Sequence, residues 1–226
     1  MKQIQTLFSW LVALSIPFFL MMTSIRLLLS PLFLQIEYQM PYFPPDPYGF
    51  TQQDRLKWGR LSMEYLLNNQ GIDFLSDLRL PDGNKLFNER ELGHMIDVKN
   101  LVQAMIRGWL ILTAFLMGTG IWFWKSERIR DFWISVRTGS YITILSLILI
   151  LIGVALSFYQ LFTVFHLIFF EGDTWLFEFS DTLIRLFPLV FWRDAFVLMG
   201  VLTISGAAGL IILSGKLIKL HDLQKG

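Results

Sequence analysis

Four apolar stretches constrain this chain more than anything else in it. They run from Leu7 to Leu34 (interrupted by Arg26 and Pro31), from Leu101 to Trp124, from Ser140 to Phe170 and from Phe196 to Leu213. Each is long enough to cross a bilayer, whose hydrocarbon core takes about 20 helical residues. Lipid offers no partner for an unpaired backbone, so each stretch is expected to be a helix. The predicted fold class is all-α integral membrane, a single membrane domain of four transmembrane helices. Composition agrees: 54% of residues are hydrophobic and mean hydropathy is +0.52, outside the range of soluble domains. Lys2 ahead of an apolar run resembles a signal peptide, but the run is too long and lacks an A-x-A-like cleavage site. It is read as a retained helix. The last stretch carries SGAAG at 205–209, small residues that let a neighbouring helix approach closely.

Loop charge sets the expected orientation. Lys125, Arg128, Arg130 and Arg137 crowd the loop 125–139, and Lys216, Lys219 and Lys225 crowd the tail 214–226. The loop 171–195 instead carries Glu171, Asp173, Glu178, Asp181 and Asp194. Basic loops stay inside, so both termini are expected to be cytoplasmic. Residues 35–100, a small cap between the first two spans, and 171–195 are then extracytoplasmic.

Several function classes drop out. With no cysteine there is no disulfide, thiol nucleophile or thiolate metal site. A net charge of +1 without a basic patch gives no nucleic-acid signal. No H-E-x-x-H occurs, and no metal site is expected.

Within the cap, MPYFPPDPYGF (40–50) reads as proline-rich turns. An amphipathic helix is expected from a Thr51 cap to near Gly71. LPDGNKLF reads as a tight turn or short hairpin around Asp82–Gly83. Asn88 and Glu91 have capping-box spacing, so a helix is expected to start at Asn88 and run into the second span.

That helix sets the depth of His94, roughly 10 Å before the apolar run at about 1.5 Å per residue. His166, in FTVFHLIFFEGDTWLF (162–177), lies four residues from the outer end of the third span. Two of the three histidines, remote in sequence, thus fall at one depth on the outer side. Arg26 and Arg107 each lie roughly 12 Å into the outer half of their spans. Intramembrane arginine costs about 2.5 kcal/mol or more and usually faces a polar interior. Together these residues predict a polar pocket that opens toward the outer leaflet and is walled by all four helices.

Plainer readings exist for each residue taken alone. A histidine near a helix end often only bonds a backbone carbonyl. Arg26 and Arg107 can snorkel or pair with Asp97 and Glu91. Glu91 reads as a cap, Phe169, Phe170, Trp175, Phe177 and Trp192 read as an interface belt, and His221 as a solvated tail residue. Rival functions are a haem-binding electron-transfer protein with two histidine ligands, and a non-catalytic membrane scaffold or lipid transporter.

ELGHMIDVKNL (91–101), FHLIFF with the following DTWLF, and TLIRLFPLVFW resemble the lipoprotein intramolecular transacylase (Lit) family. The likeness covers most of the chain and weakens between Gln52 and Phe87. It implies a multi-pass protein of the bacterial cytoplasmic membrane with its site facing the outer leaflet. The implied substrate is a lipoprotein whose N-terminal cysteine bears a thioether-linked diacylglyceryl group. The sn-2 acyl chain moves onto that cysteine's own α-amino group, giving a lyso-form N-acyl lipoprotein. The family's two histidines correspond to His94 and His166.

Turning an ester into an amide is downhill, so no ATP site and no cofactor are expected. The α-amino group has a reference pKa near 8, so a mild base such as histidine, near 6.5, suffices. His94 is expected to be that base, oriented by Asp97 one turn on. His166 is expected to assist the carbonyl or the leaving oxygen, with Arg26 or Arg107 as a further positive group, although the two histidines could exchange roles. Glu91 is expected to support the site, and Trp175 and Phe170 to contact substrate. The expected partners are the diacylated lipoprotein and membrane lipids, with the chain acting as a monomer.

Overall fold

The computed structural model describes residues 2–225, apart from the side chains of Lys2, Val154 and Lys225. Lys2, read above with the signal-peptide likeness, and Lys225, used above for topology, therefore lie outside the described side chains. The described residues form helices α1 (Lys2–Leu28), α2 (Pro31–Tyr38), α3 (Gln52–Leu67), α4 (Asp73–Ser76), α5 (Glu89–Lys125), α6 (Ile129–Phe169), α7 (Thr182–Leu186) and α8 (Leu189–Lys225). Four of these, α1, α5, α6 and α8, contain apolar segments long enough to span a membrane. The chain is an all-helical membrane protein, as the apolar stretches predict.

Helices α6 and α8 extend past their apolar stretches, into the expected loops 125–139 and 171–195 and the expected tail 214–226, and three other boundaries differ for a local reason. The first apolar run breaks after Leu28, because Ser30 caps a new helix and Pro31, which lacks an N–H, sits in its first turn. Helix α6 is interrupted at Ser157, whose φ of −163° and ψ of 92° are extended rather than helical. Helix α3 ends at Leu67, short of Gly71, where Asn68 leaves the helical region. The turn at Asp82–Gly83 forms with Gly83 at φ +87°, but only one bridge, Arg79 to Lys85, closes it. Too few residues flank it to build strands.

Contacts divide the chain into two compact units. The first comprises residues 1–26, 106–153 and 197–226. Its core is apolar: Val12, Ile16, Leu20, Phe123, Phe132, Val136 and Ala207. Small residues set the spacing here. A Cβ on Gly139 would collide with the Ala13 carbonyl oxygen, and one on Gly206 would press Leu20 at 3.2 Å. The small-residue face of 205–209 thus packs through Gly206 and fully buried Ala207. Buried hydroxyls add interhelical bonds, Thr203 Oγ1 donating to Ser24 Oγ at 2.8 Å and Trp109 Nε1 to Thr23 Oγ1 at 3.0 Å.

The second unit comprises residues 27–105 and 154–196, and holds the cap. Thr51 and Asp54 form a full capping box that starts α3. One core gathers Trp58, Tyr65, Leu75, Leu86, Phe87, Leu92, Met95, Leu183 and Leu186; another gathers Phe33, Leu34, Tyr38, Met63 and Phe191. The proline-rich strap is tied down by cations: Arg55 donates to the Pro44 carbonyl at 2.6 Å, and Arg185 pairs with Asp46 at 2.9 Å.

One buried pair in this unit is sensitive to pH. Burial, and then the neighbouring Asp194 carboxyl, raise the Glu37 carboxyl to about 7, against the opposing pull of Arg193. A carboxyl raised in the folded state stabilises fully below its unfolded pKa of 4.5 and loses that contribution as pH rises through 7. Wild-type stability is expected to fall over that window. Glu37→Gln should flatten the fall and raise the unfolding midpoint at pH 8 by about 2–4 °C, read by a melting series from pH 4 to 8.

Candidate active site

The site begins with the start of α5. Asn88 and Glu91 bond reciprocally, the Asn88 N–H donating to Glu91 Oε2 at 2.8 Å and the Glu91 N–H to Asn88 Oδ1 at 3.0 Å. This is the capping box that the spacing predicts. Glu91 does more than cap, since its other oxygen accepts from the Leu183 N–H at 2.6 Å. Thr182 donates to the Leu86 carbonyl at 2.5 Å, and Asn88 Nδ2 to Asp181 at 2.9 Å. Arg90 donates to the Leu176 carbonyl at 3.1 Å. The loop between α6 and α7 is thereby stitched to the first turn of α5, just before His94.

His94 follows Glu91 by three residues, on the same face of α5. It is 8% exposed, wedged between the edges of Phe170 (5.0 Å between ring centres) and Phe177 (5.3 Å). His166, in the last turn of α6, is 7% exposed. The two rings lie 6.1 Å apart and tilted by 22°, although the sequence separates them widely. Phe162 (4.2 Å), Trp175 (4.8 Å) and Phe170 (5.4 Å) pack on His166.

The hydrogen bonding of the two rings differs. His166 Nδ1 lies 2.8 Å from the Phe162 carbonyl oxygen. A carbonyl only accepts, so Nδ1 carries the proton, and in the neutral ring Nε2 is left as a bare lone pair facing away. His94 Nδ1 is buried without a partner among the described residues.

The expected positions can now be compared with the structure. His94, His166, Trp175 and Phe170 come together in the second unit. Asp97 does not orient His94: it is half-buried, and His94 Nδ1 has no partner. The reason is the aromatic wall. Phe170 and Phe177 fix the ring, and a carboxylate drawn in among them would lose its hydration. Arg26 and Arg107 are exposed residues of the first unit. Phe162 was not singled out above, yet its spacing of four before His166 on a helix is the signal that places it there. The tie from Glu91 to Leu183 has no local signal at all.

Comparison with known proteins follows the same lines. A family model described as lipoprotein intramolecular transacylase Lit matches residues 10–192, a span that includes both histidines. An uncharacterized protein of Aquifex aeolicus (strain VF5) is 28% identical over 199 residues, covering 87% of this chain and 88% of its own length. Among solved structures, the membrane-integral lipoprotein intramolecular transacylase Lit of Bacillus cereus superposes with a TM-score of 0.80 at 20% identity, covering 100% of this chain and 99% of that one. Another structure of that protein, carrying a histidine-to-arginine substitution, gives 0.75 at 20% identity over 99% and 94% of the chains. At that identity the structural likeness speaks for the fold. The family match, across most of the chain, identifies it as a member of the lipoprotein intramolecular transacylase family.

Proposed function

We propose that the chain moves the sn-2 acyl chain of a diacylglyceryl-cysteine lipoprotein onto that lipoprotein's own α-amino group. The observation that carries this reading is the pair of buried imidazoles 6.1 Å apart in a chain of the transacylase family. The aromatic packing of both rings and the family membership favour it over haem ligation or passive transport.

The proposed chemistry is ester aminolysis. The α-amino nitrogen attacks the ester carbonyl carbon, a C–N bond forms, and the carbonyl oxygen becomes an oxyanion. His166 Nε2, bare because Nδ1–H serves Phe162, takes the proton from the nitrogen. The bond to the sn-2 glyceryl oxygen then breaks, and His166 returns the proton to that oxygen. His94, with no partner for Nδ1 inside the protein, is proposed to hydrogen-bond the carbonyl oxygen. This exchanges the roles that spacing alone suggests, because the fixed tautomer makes His166 the better base and Asp97 does not serve His94.

Both reacting groups belong to one molecule, so most of the task is holding them in contact, an orientation effect worth roughly 7–11 kcal/mol. The site is proposed to face the outer leaflet of a bacterial cytoplasmic membrane, where a mature lipoprotein's N-terminus is presented. No acyl-enzyme is required, in keeping with a chain that lacks cysteine.

The test is expression in a bacterial host that otherwise leaves lipoproteins diacylated with a free amine, followed by mass spectrometry of lipoprotein N-termini. N-acyl lyso-forms with an unchanged number of acyl chains and unchanged mass, told apart by fragmentation, are expected, since the chain is moved rather than added. N-termini that stay free and diacylated would refute the proposal.

A further inference from the structure

Among the described residues, two buried side-chain polar atoms without a partner belong to rings of the histidine cluster, His94 Nδ1 and Trp175 Nε1, and Thr174 Oγ1, one residue before Trp175, is unpaired too. Buried polar groups are normally paired, so each unpaired one calls for a reason. Elsewhere in the same unit Asn68 Nδ2 and one oxygen each of Glu37 and Asp194 are also unpaired, the two carboxyls lying close enough for Asp194 to raise Glu37. At the histidines no partner is found among the described residues. The threonine hydroxyl can rotate toward nearby backbone, but an indole N–H is fixed in the plane of its ring and can only donate. That ring is held 4.8 Å from His166 at a tilt of 33°. A donor fixed against the base therefore awaits an acceptor that the protein itself does not supply.

We infer that Trp175 Nε1–H is a catalytic hydrogen-bond donor to the carbonyl oxygen of the acyl group being transferred, acting beside His94 as the second half of an oxyanion hole. The inference rests on the transacylase reading above and names a reacting-atom contact which that reading does not require. It fits the geometry: the base must lie near the attacking nitrogen, and the oxyanion forms on the carbon this nitrogen attacks, so a donor on a ring packed against His166 lies in the same neighbourhood. The loop carrying Trp175 is bound to the start of α5 through Arg90 and Leu176, which holds the indole in place before substrate arrives. Preorganised donors of this kind need no rearrangement as charge develops.

The test removes the N–H and keeps the ring. Benzothienylalanine introduced at position 175 puts sulfur where the N–H was, in nearly the same shape. With a synthetic diacylglyceryl-cysteine peptide, kcat should fall about 10²–10³-fold with little change in KM, the signature of a contact made in the transition state. Trp175→Phe should fall alike, and a fluorotryptophan that keeps the N–H should stay near wild type. If the sulfur isostere turns over as fast as wild type, Trp175 only packs against His166 and the inference fails, while the transacylase reading stands. If wild-type protein itself makes no lyso-form, both fail together.

Discussion

Alanine at position 166 is expected to lower kcat for lyso-form production by about 10²–10⁴-fold, the range that a positioned general base contributes. The cause lies in how the ring is held. Phe162 fixes the Nδ1 proton, so only Nε2 of this ring can receive the proton of the attacking amine, and the one other imidazole in the cluster, His94, is assigned to the carbonyl oxygen. His166→Gln should not rescue, because an amide accepts a hydrogen bond but takes no proton at neutral pH. His94→Ala should lower kcat by about 10²–10³-fold, the usual cost of one oxyanion donor. Here His94→Gln should recover part of the loss, since it keeps an N–H to donate. That contrast separates the two roles. Equal rescue at both positions, or none at either, would mean the base and donor are wrongly assigned.

The second large effect is on stability. Glu91→Ala should destabilise the cap by about 3 kcal/mol, because it leaves the buried N–H of Leu183 without an acceptor and breaks the capping bond from Asn88. For a chain of this size that corresponds to a fall in melting temperature of about 6–12 °C. Glu91 is only 1% exposed, so water cannot replace the lost acceptor. Activity should be lost with it on warming, as the loop that carries Trp175 comes away from α5. Measured well below the melting point, kcat should recover much more than in the histidine variants. A Glu91→Ala protein that melts like wild type yet is inactive when cold would make Glu91 a catalytic group instead of a structural one.

The four membrane helices were legible because hydrophobicity over twenty residues is a strong, local property, although the first was carried to Leu34, past the break at which Pro31 opens α2. The α5 start was legible for the same kind of reason: Asn88 and Glu91 are three apart, and capping is a short-range interaction. Depth along two helices was enough to pair His94 with His166. What could not be read was anything decided by a side chain from a distant segment. Asp97, one turn from His94, looked like its partner, but Phe170 and Phe177 arrive from the other side and hold the ring instead. Glu91 looked like a cap and is one, but its bond to Leu183 lies outside any local pattern. The break at Ser157 carries no proline or glycine at that position to announce it. The clustering of Trp175 with the histidines, rather than in an interface belt, likewise depends on the path of the loop 171–181.

The central claim is that these two imidazoles promote the direct shift of an acyl group from the sn-2 oxygen to the α-amino group of the same molecule. Two synthetic diacylglyceryl-cysteine peptides, differing in peptide mass and in the isotopic mass of the sn-2 chain, can be mixed in one reaction with the purified protein. Mass spectrometry of the products should find each peptide N-acylated by its own chain, and both products should vanish with His166→Ala. Chains exchanged between the two peptides, or conversion undiminished in the variant, would contradict the account.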